Sequence, residues 1–304
     1  MSANLLHALV APTASGKEST ALAVAAAAPV EILSLDSMKV YRGMSVGTAK
    51  ASEEARARVP HHLVDIADPR EPFSTREWLD AALAAVEEVR ARGRLPLLSG
   101  GTALYLKALL YGLFEGPAAD PTVRRRLRER AGEDLHRALE RVDPKTAAKV
   151  HPNDVRRLIR ALEVHEITGR PISEHRREWE RESPLREVRI VGLRRDRADL
   201  YERIHDRVDR MIQAGLVDEV RGLLERNALG DIARQALGYK EIADYLEGAI
   251  ETLEEAVELV RRRTRLFARR QLTWFKHFEI DWVDVAPGDT VEKIAPEVAA
   301  RLFA

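Results

Sequence analysis

Three short stretches carry residues able to act on a phosphorylated substrate. The first, Ala11-Pro12-Thr13-Ala14-Ser15-Gly16-Lys17-Glu18, resembles the phosphate-loop pattern G-x-x-x-x-G-K-S/T. In such a loop, successive backbone N–H groups and the positive end of the following helix surround phosphate oxygens, and the lysine adds a full charge. Ala11 replaces the first glycine, and Glu18 stands where a hydroxyl normally helps to hold magnesium, with Ser19 one residue later. Taken alone, this pattern is open to a second reading as a structural turn before an alanine-rich helix. The second stretch is Asp36-Ser37-Met38-Lys39-Val40-Tyr41-Arg42. A carboxylate at its head suits a general base, a helix cap or a magnesium-associated group. The third, Gly100-Gly101-Thr102, offers a close backbone approach and a hydroxyl, although glycine pairs are commoner as plain turns.

These stretches need a frame that brings them together. Leu5 to Val10 is an apolar run ending at the first loop, and Ser19 to Ala28 has high helix propensity, which reads as strand, loop, helix. Two more apolar runs, Glu31 to Leu35 and Leu95 to Leu98, lead into Asp36 and into Ser99-Gly100-Gly101-Thr102, and the second is followed by the helical Ala103 to Leu110. Strands alternating with helices imply a parallel sheet with functional loops at the strands' C-terminal ends, where all three stretches fall. From about Glu115 to Pro184 the texture becomes charged and helix-forming, bounded by Gly116-Pro117 and Ser183-Pro184. Val188 to Leu193 then reads as a buried strand returning to the sheet, and Arg194 to Phe275 as mostly helical, interrupted near Asn227 to Gly230 and at Gly238. The expected architecture is α/β: a P-loop NTPase-like parallel sheet flanked by helices over residues 1–114 and 185–304, with a helical insertion over 115–184.

At 304 residues and 45% hydrophobic content, the chain can bury a substantial core. Forty-nine Lys and Arg balance 49 Asp and Glu, so the total charge points to no polyanionic partner. The distribution does: Arg261 to Arg270 reads RRRTRLFARR, Val123 to Arg130 reads VRRRLRER, and Arg156 to Arg160 reads RRLIR. The chain has no cysteine, which excludes disulfides, thiolate metal sites and a cysteine nucleophile. The apolar stretch Ala21 to Val30 is too short to cross a bilayer and no basic-then-apolar leader precedes it, so a cytoplasmic location is expected.

The motifs extend beyond these three stretches. Pro12 to Lys17, Asp36 to Met44 and Gly47 to Lys50 match a P-T-A-S-G-K loop, an Asp-Ser followed by Tyr-Arg-Gly-Met, and a G-T-A-K. Further matches are Pro60-His61-His62-Leu63, Leu104-Tyr105, His151-Pro152-Asn153-Asp154, Arg160 to Val164, Gln235-Ala236-Leu237-Gly238-Tyr239-Lys240 and Arg269 to Phe275. In order and spread they resemble the tRNA dimethylallyltransferase family, also called tRNA isopentenyltransferase.

That resemblance implies transfer of a dimethylallyl group from dimethylallyl diphosphate to the exocyclic amino nitrogen of the adenosine 3′ of the anticodon. It implies Asp36 as base, with Thr102 positioning the reacting groups. Lys17 and the rest of the loop, Ala11 to Ser19, would hold the diphosphate. The family's R-x-x-x-R-V-D-x-M stretch, matched at Arg203 to Met211, adds Arg207 and Arg203 to that task. Contacts to tRNA are implied for Asp36, Ser37, Met38, Lys39, Thr102 and Arg124, for Arg156-Arg157-Leu158-Ile159-Arg160, and for Gln235 to Lys240, with the insertion gripping the anticodon stem. Lys39 sits where relatives often carry glutamine or a small apolar residue. Mg2+ is the implied cofactor, held by Ser19, by the Glu18 carboxylate, or through water alone; a monomer is the expected state. His61-His62 is an unpromising metal pair, because adjacent side chains on an extended segment point to opposite sides. Trp179, Tyr239, Trp274 and Phe275 are candidates for stacking on a base or lining the isoprenoid tunnel, with core packing the default for any single one. The alternatives are a small-molecule kinase using the same loop, an adenylate prenyltransferase acting on free nucleotide, and an inactive RNA-binding module.

Overall fold

A computed structural model describes residues 5–113, 116–130, 132–179 and 186–304. Six parallel strands form one sheet in the order β3-β2-β4-β1-β5-β6: β1 Leu6–Val10, β2 Val30–Leu35, β3 His61–His62, β4 Leu95–Gly100, β5 Val188–Arg195 and β6 Asp281–Val285. The inner strands β1 and β2 are buried at every residue, as continuous apolar runs require when helices cover both faces. On one face the helices Lys17–Ala27 and Val291–Phe303 pack over a core that includes Leu9, Val24, Ile32, Val191 and Val298. The helix Thr75–Ala91 packs on β2 and β4 and buries Trp78, whose indole N–H donates to Ser34 O at 3.2 Å and whose ring stacks on Tyr105 at 4.1 Å.

The runs expected as strands at Leu5, Glu31, Leu95 and Val188 are β1, β2, β4 and β5. Two edge strands and the closing helix were not expected. β3 is two residues long, and β6 alternates exposed and buried positions as a sheet edge does, so neither presents an apolar run.

The chain divides into two compact units, residues 1–109 with 186–304 and residues 110–185. The expected boundary residues at 114–115 and 184–185 lie outside the described residues. Among its described residues the second unit is helical, with a core of Leu127, Leu135, Leu139, Leu158, Ile159 and Leu162 among others. A fully buried carboxylate, Glu163, organises it. Glu163 accepts the Asp120 N–H at 2.8 Å, a two-pronged contact from Arg124 at 2.8 and 2.9 Å, and Arg160 at 2.6 Å. Burial pushes the Glu163 carboxyl up, and the bonds from Arg124 and Arg160 outweigh this and hold it below the usual range.

Candidate active site

The C-terminal ends of β1, β2 and β4 converge on a cleft of about 690 Å³ in the first unit. After β1 the chain turns through Ala11 to Gly16 and enters the helix at Lys17. The turn needs two left-handed residues, Ala14 at φ 66° and Gly16 at φ 92°; the second is what glycine supplies without strain. Gly16 caps the helix without a side-chain bond, so the first amides of the helix face the cleft with no intrahelical partner. The loop is held from behind by side chains distant in sequence. Arg195 Nε donates to Ser15 O at 3.0 Å, Arg203 Nε donates to Ala14 O at 2.9 Å, and Gln271 Oε1 accepts the Thr13 N–H at 2.9 Å. The same Gln271 donates through Nε2 to Gly101 O at 2.8 Å, fastening the loop after β1 to the loop after β4.

Asp36 stands at the end of β2 in the cleft lining. Its Oδ1 accepts the Met38 N–H at 2.9 Å, forming a local turn, and Oδ2 has no hydrogen bond among the described residues. Thr102 lies behind this turn: its Oγ1 accepts the Ser37 N–H at 3.1 Å, and its own N–H donates to Leu35 O at 3.1 Å. Gly100 and Gly101 are required by space, since a Cβ on Gly100 would stand 2.1 Å from Leu35 O and one on Gly101 2.1 Å from Gln271 Nε2. Ser99, whose buried Oγ has no hydrogen-bond partner among the described residues, is also in the lining.

The third wall is the helix Arg197–Gln213. Arg203, Arg207 and Arg210 fall at helical spacing on its cleft side with Met211. Burial pushes the Arg207 guanidinium down, and Asp36 and Glu18 offset this only in part. Burial also lowers Lys17 to about 8, reinforced by Arg207 and opposed by Asp36. In all, seven Lys or Arg line the cleft against three Asp or Glu, a surplus that suits a multiply charged anion.

The fourth side is the segment Ser45 to Lys50. Glu219 accepts the N–H groups of Ser45, Val46 and Gly47 at 2.9 to 3.3 Å, together with the Tyr239 hydroxyl at 2.5 Å. Gly47 is packed on Tyr239, where an added Cβ would come within 2.4 Å of the ring. Lys50 reaches Tyr41 O and Asp65, each at 2.6 Å.

The two side chains expected to hold magnesium, Glu18 and Ser19, both have other partners here. The Glu18 carboxylate is ion-paired with Lys39 and lies 3.4 Å from His61 Nε2, while Ser19 donates its hydroxyl proton to Gly16 O at 2.8 Å. Burial pushes Glu18 up, but His61 and Lys39 outweigh it and hold the carboxyl at about 2. Among the described residues no group of three or more His, Cys, Asp or Glu could hold a metal ion. His62 turns the other way, to Glu31 at 2.6 Å, as an extended pair requires.

The structure thus brings Ala11 to Ser19, Asp36, Lys39, Arg203 and Arg207 to one cleft or its wall, with Thr102 behind Asp36. The residues expected on tRNA are more dispersed. In the second unit Arg156 and Arg157 are exposed, Leu158 and Ile159 belong to the core, and Arg124 and Arg160 are committed to Glu163. Of Gln235 to Lys240, Gln235 is exposed, Ala236 and Tyr239 are buried, and Lys240 is paired with Asp244 at 2.6 Å. Phe275 is buried, Trp274 is exposed, and the side chain of Trp179 lies outside the described residues. The supports Gln271, Arg195 and Glu219 had no assigned role in the sequence; Gln271 alone lay within a quoted motif.

The fold and cleft define an α/β protein whose phosphate loop and arginine-bearing helix face a carboxylate. Residues 39–278 match the family model for IPP transferase. The tRNA dimethylallyltransferase of Geobacillus thermodenitrificans is 44% identical, covering 97% of this chain and 96% of that one, and that of Symbiobacterium thermophilum is 49% identical, covering 97% and 93%. Among solved structures, the tRNA isopentenylpyrophosphate transferase of Bacillus halodurans superposes with a TM-score of 0.72 at 40% identity, covering 98% of this chain and 97% of the other. A eukaryotic dimethylallyltransferase acting on tRNA superposes with a TM-score of 0.81 at 26% identity, covering 97% and 77%. The chain belongs to the IPP transferase family, a family of prenyltransferases.

Proposed function

We propose that this protein transfers a dimethylallyl group from dimethylallyl diphosphate to the exocyclic amino nitrogen of the adenosine 3′-adjacent to the anticodon of tRNA, releasing pyrophosphate. The observation that carries this is the pairing, across one cleft, of a phosphate loop and basic helix with Asp36, whose Oδ2 has no hydrogen bond among the described residues. An adenine amine is a weak nucleophile, so the reaction needs both a stabilised leaving group and an acceptor for the amine proton. As the carbon–oxygen bond to the diphosphate breaks and the nitrogen–carbon bond forms, charge gathers on the departing oxygens. The loop amides, Lys17, Arg203 and Arg207 stabilise it, the arginines with the fork geometry that suits phosphate. Asp36 Oδ2 takes the amine proton while Oδ1 keeps the turn in place, and Thr102 fixes that turn through Ser37.

The same reading assigns tRNA contact to the exposed Arg156 and Arg157 and to Gln235, with the helical unit gripping the anticodon stem through phosphate contacts. Arg124 acts there by shaping the unit around Glu163. A cytoplasmic monomer completes the proposal; among the described residues no helix is long and apolar enough to cross a membrane.

The test is to incubate the purified protein with bulk tRNA and magnesium, supply dimethylallyl diphosphate or ATP, and digest the RNA for mass spectrometry. A prenyl mass on adenosine is the expected result. ATP turnover without that product would indicate a kinase, prenylation of free adenylate but not of tRNA would indicate the nucleotide enzyme, and binding without reaction an inactive RNA-binding module.

A further inference from the structure

The residue after Lys17 is an acid where the loop pattern has a hydroxyl, and that acid has a specific companion. Lys39, in the turn headed by Asp36, places its ammonium on Glu18 Oε2, and both residues line the cleft beside Lys17. Left alone, the Glu18 carboxylate would repel a diphosphate in the loop; paired, it does not. The pair is also a poor metal site, because a divalent ion would have to displace the ammonium among a surplus of cations. An ammonium carries three N–H donors, and the bond to Glu18 uses one.

We propose that Lys39, stored on Glu18, is the cation that serves the leaving diphosphate in this protein, donating to its oxygens and taking the part of a metal ion held by the loop. Lys39 is then a binding residue for the leaving group, and Glu18 the residue that positions it. Diphosphate binding therefore depends little on magnesium. The inference rests on the reading of the cleft as a diphosphate site, and the test separates the two.

Pyrophosphate, the leaving group itself, is titrated calorimetrically into wild type, Lys39→Met, Lys39→Arg and the double variant Glu18→Thr/Lys39→Gln, each in Mg2+ and in EDTA, with thermal melts to show that every variant is folded. Wild type is expected to bind in EDTA within about threefold of its affinity in Mg2+, because its own cation replaces the metal. Lys39→Met should lose about tenfold or more in EDTA, Lys39→Arg less, and the double variant should bind only with Mg2+. Binding of Mn2+ to wild type without pyrophosphate, followed by electron paramagnetic resonance, should be undetectable at the concentrations that load the pyrophosphate complex. Wild type losing pyrophosphate in EDTA as the double variant does overturns the inference, as does Lys39→Met binding like wild type, and both leave the cleft assignment standing. No binding by wild type in either condition overturns the cleft assignment and the inference with it.

Discussion

Lys17 should make the hold on the leaving group depend on pH in a way that can be counted in protons. Burial lowers its pKa to about 8 in the free protein, with Arg207 and Lys39 adding to the effect and Asp36 and Glu18 opposing it. The proton is therefore bound below pH 8 and lost above it. An anion in the loop favours the ammonium, so binding above pH 8 must draw a proton onto Lys17. About a tenth of the free protein has neutral Lys17 at pH 7 and about nine tenths at pH 9. Proton uptake through this residue should thus rise from about 0.1 to about 0.9 between those pH values, and affinity should fall about tenfold per pH unit above 8. Calorimetric titration of pyrophosphate in two buffers of different ionisation enthalpy measures the uptake. Pyrophosphate has protonation equilibria of its own, and Lys17→Arg supplies the correction, since a guanidinium stays charged throughout. The difference between the two proteins isolates the lysine. Equal proton counts and equal pH slopes in both would refute the reasoning, and would mean that Lys17 stays charged in the free cleft.

Other substitutions probe separate parts of the site. Asp36→Asn keeps an oxygen to accept the Met38 N–H and removes the base, so turnover of tRNA should fall by about 100-fold or more while tRNA and pyrophosphate affinities stay within about threefold; equal loss of turnover and affinity would make Asp36 a binding or structural residue. Gly47→Ala drives a methyl to within 2.4 Å of the Tyr239 ring and 2.9 Å of Leu216, which should cost about 1–3 kcal/mol in denaturant unfolding and would be contradicted by an unchanged midpoint. Glu163→Ala strips Arg124 and Arg160 of their shared carboxylate, and loss of about 3 kcal/mol is expected, at the low end for a broken buried pair because both arginines are partly exposed. Limited proteolysis should then cut first within residues 110–185; a cleavage pattern like that of wild type would show that the carboxylate does not organise that unit.

Much of the sheet could be read from the chain because β1, β2, β4 and β5 are predominantly apolar runs, each ending in residues that stop a strand or turn the chain. Edge strands lack that signal: β3 is only His61–His62, and Asp281 to Val285 mixes aspartates with Trp282 and two valines. The breaks foreseen near Asn227 and Gly238 coincide with left-handed residues at φ 47° and 87°. In the cleft, Lys17, Asp36 and Arg207 could be found because each belongs to a local pattern. Glu219 belongs to none; it looks like a surface acid on an amphipathic helix, and only the fold brings it to the amides of Ser45 to Gly47 more than 170 residues away. Arg124 was harder still, because a run of arginines on a helix looks the same whether it faces RNA or a buried glutamate. Distinguishing the two requires the partner, and Glu163 stands 39 residues further on.

Gln271 links Thr13 to Gly101 with one amide group, across 258 and 170 residues of chain. In the order of synthesis, the phosphate loop precedes the glutamine that clasps it by 258 residues. A nascent chain released before that glutamine emerges would carry every motif of the first hundred residues and still lack the bond that ties the loop after β1 to the loop after β4. Maturation of the cleft therefore waits on synthesis of the helix that carries Gln271.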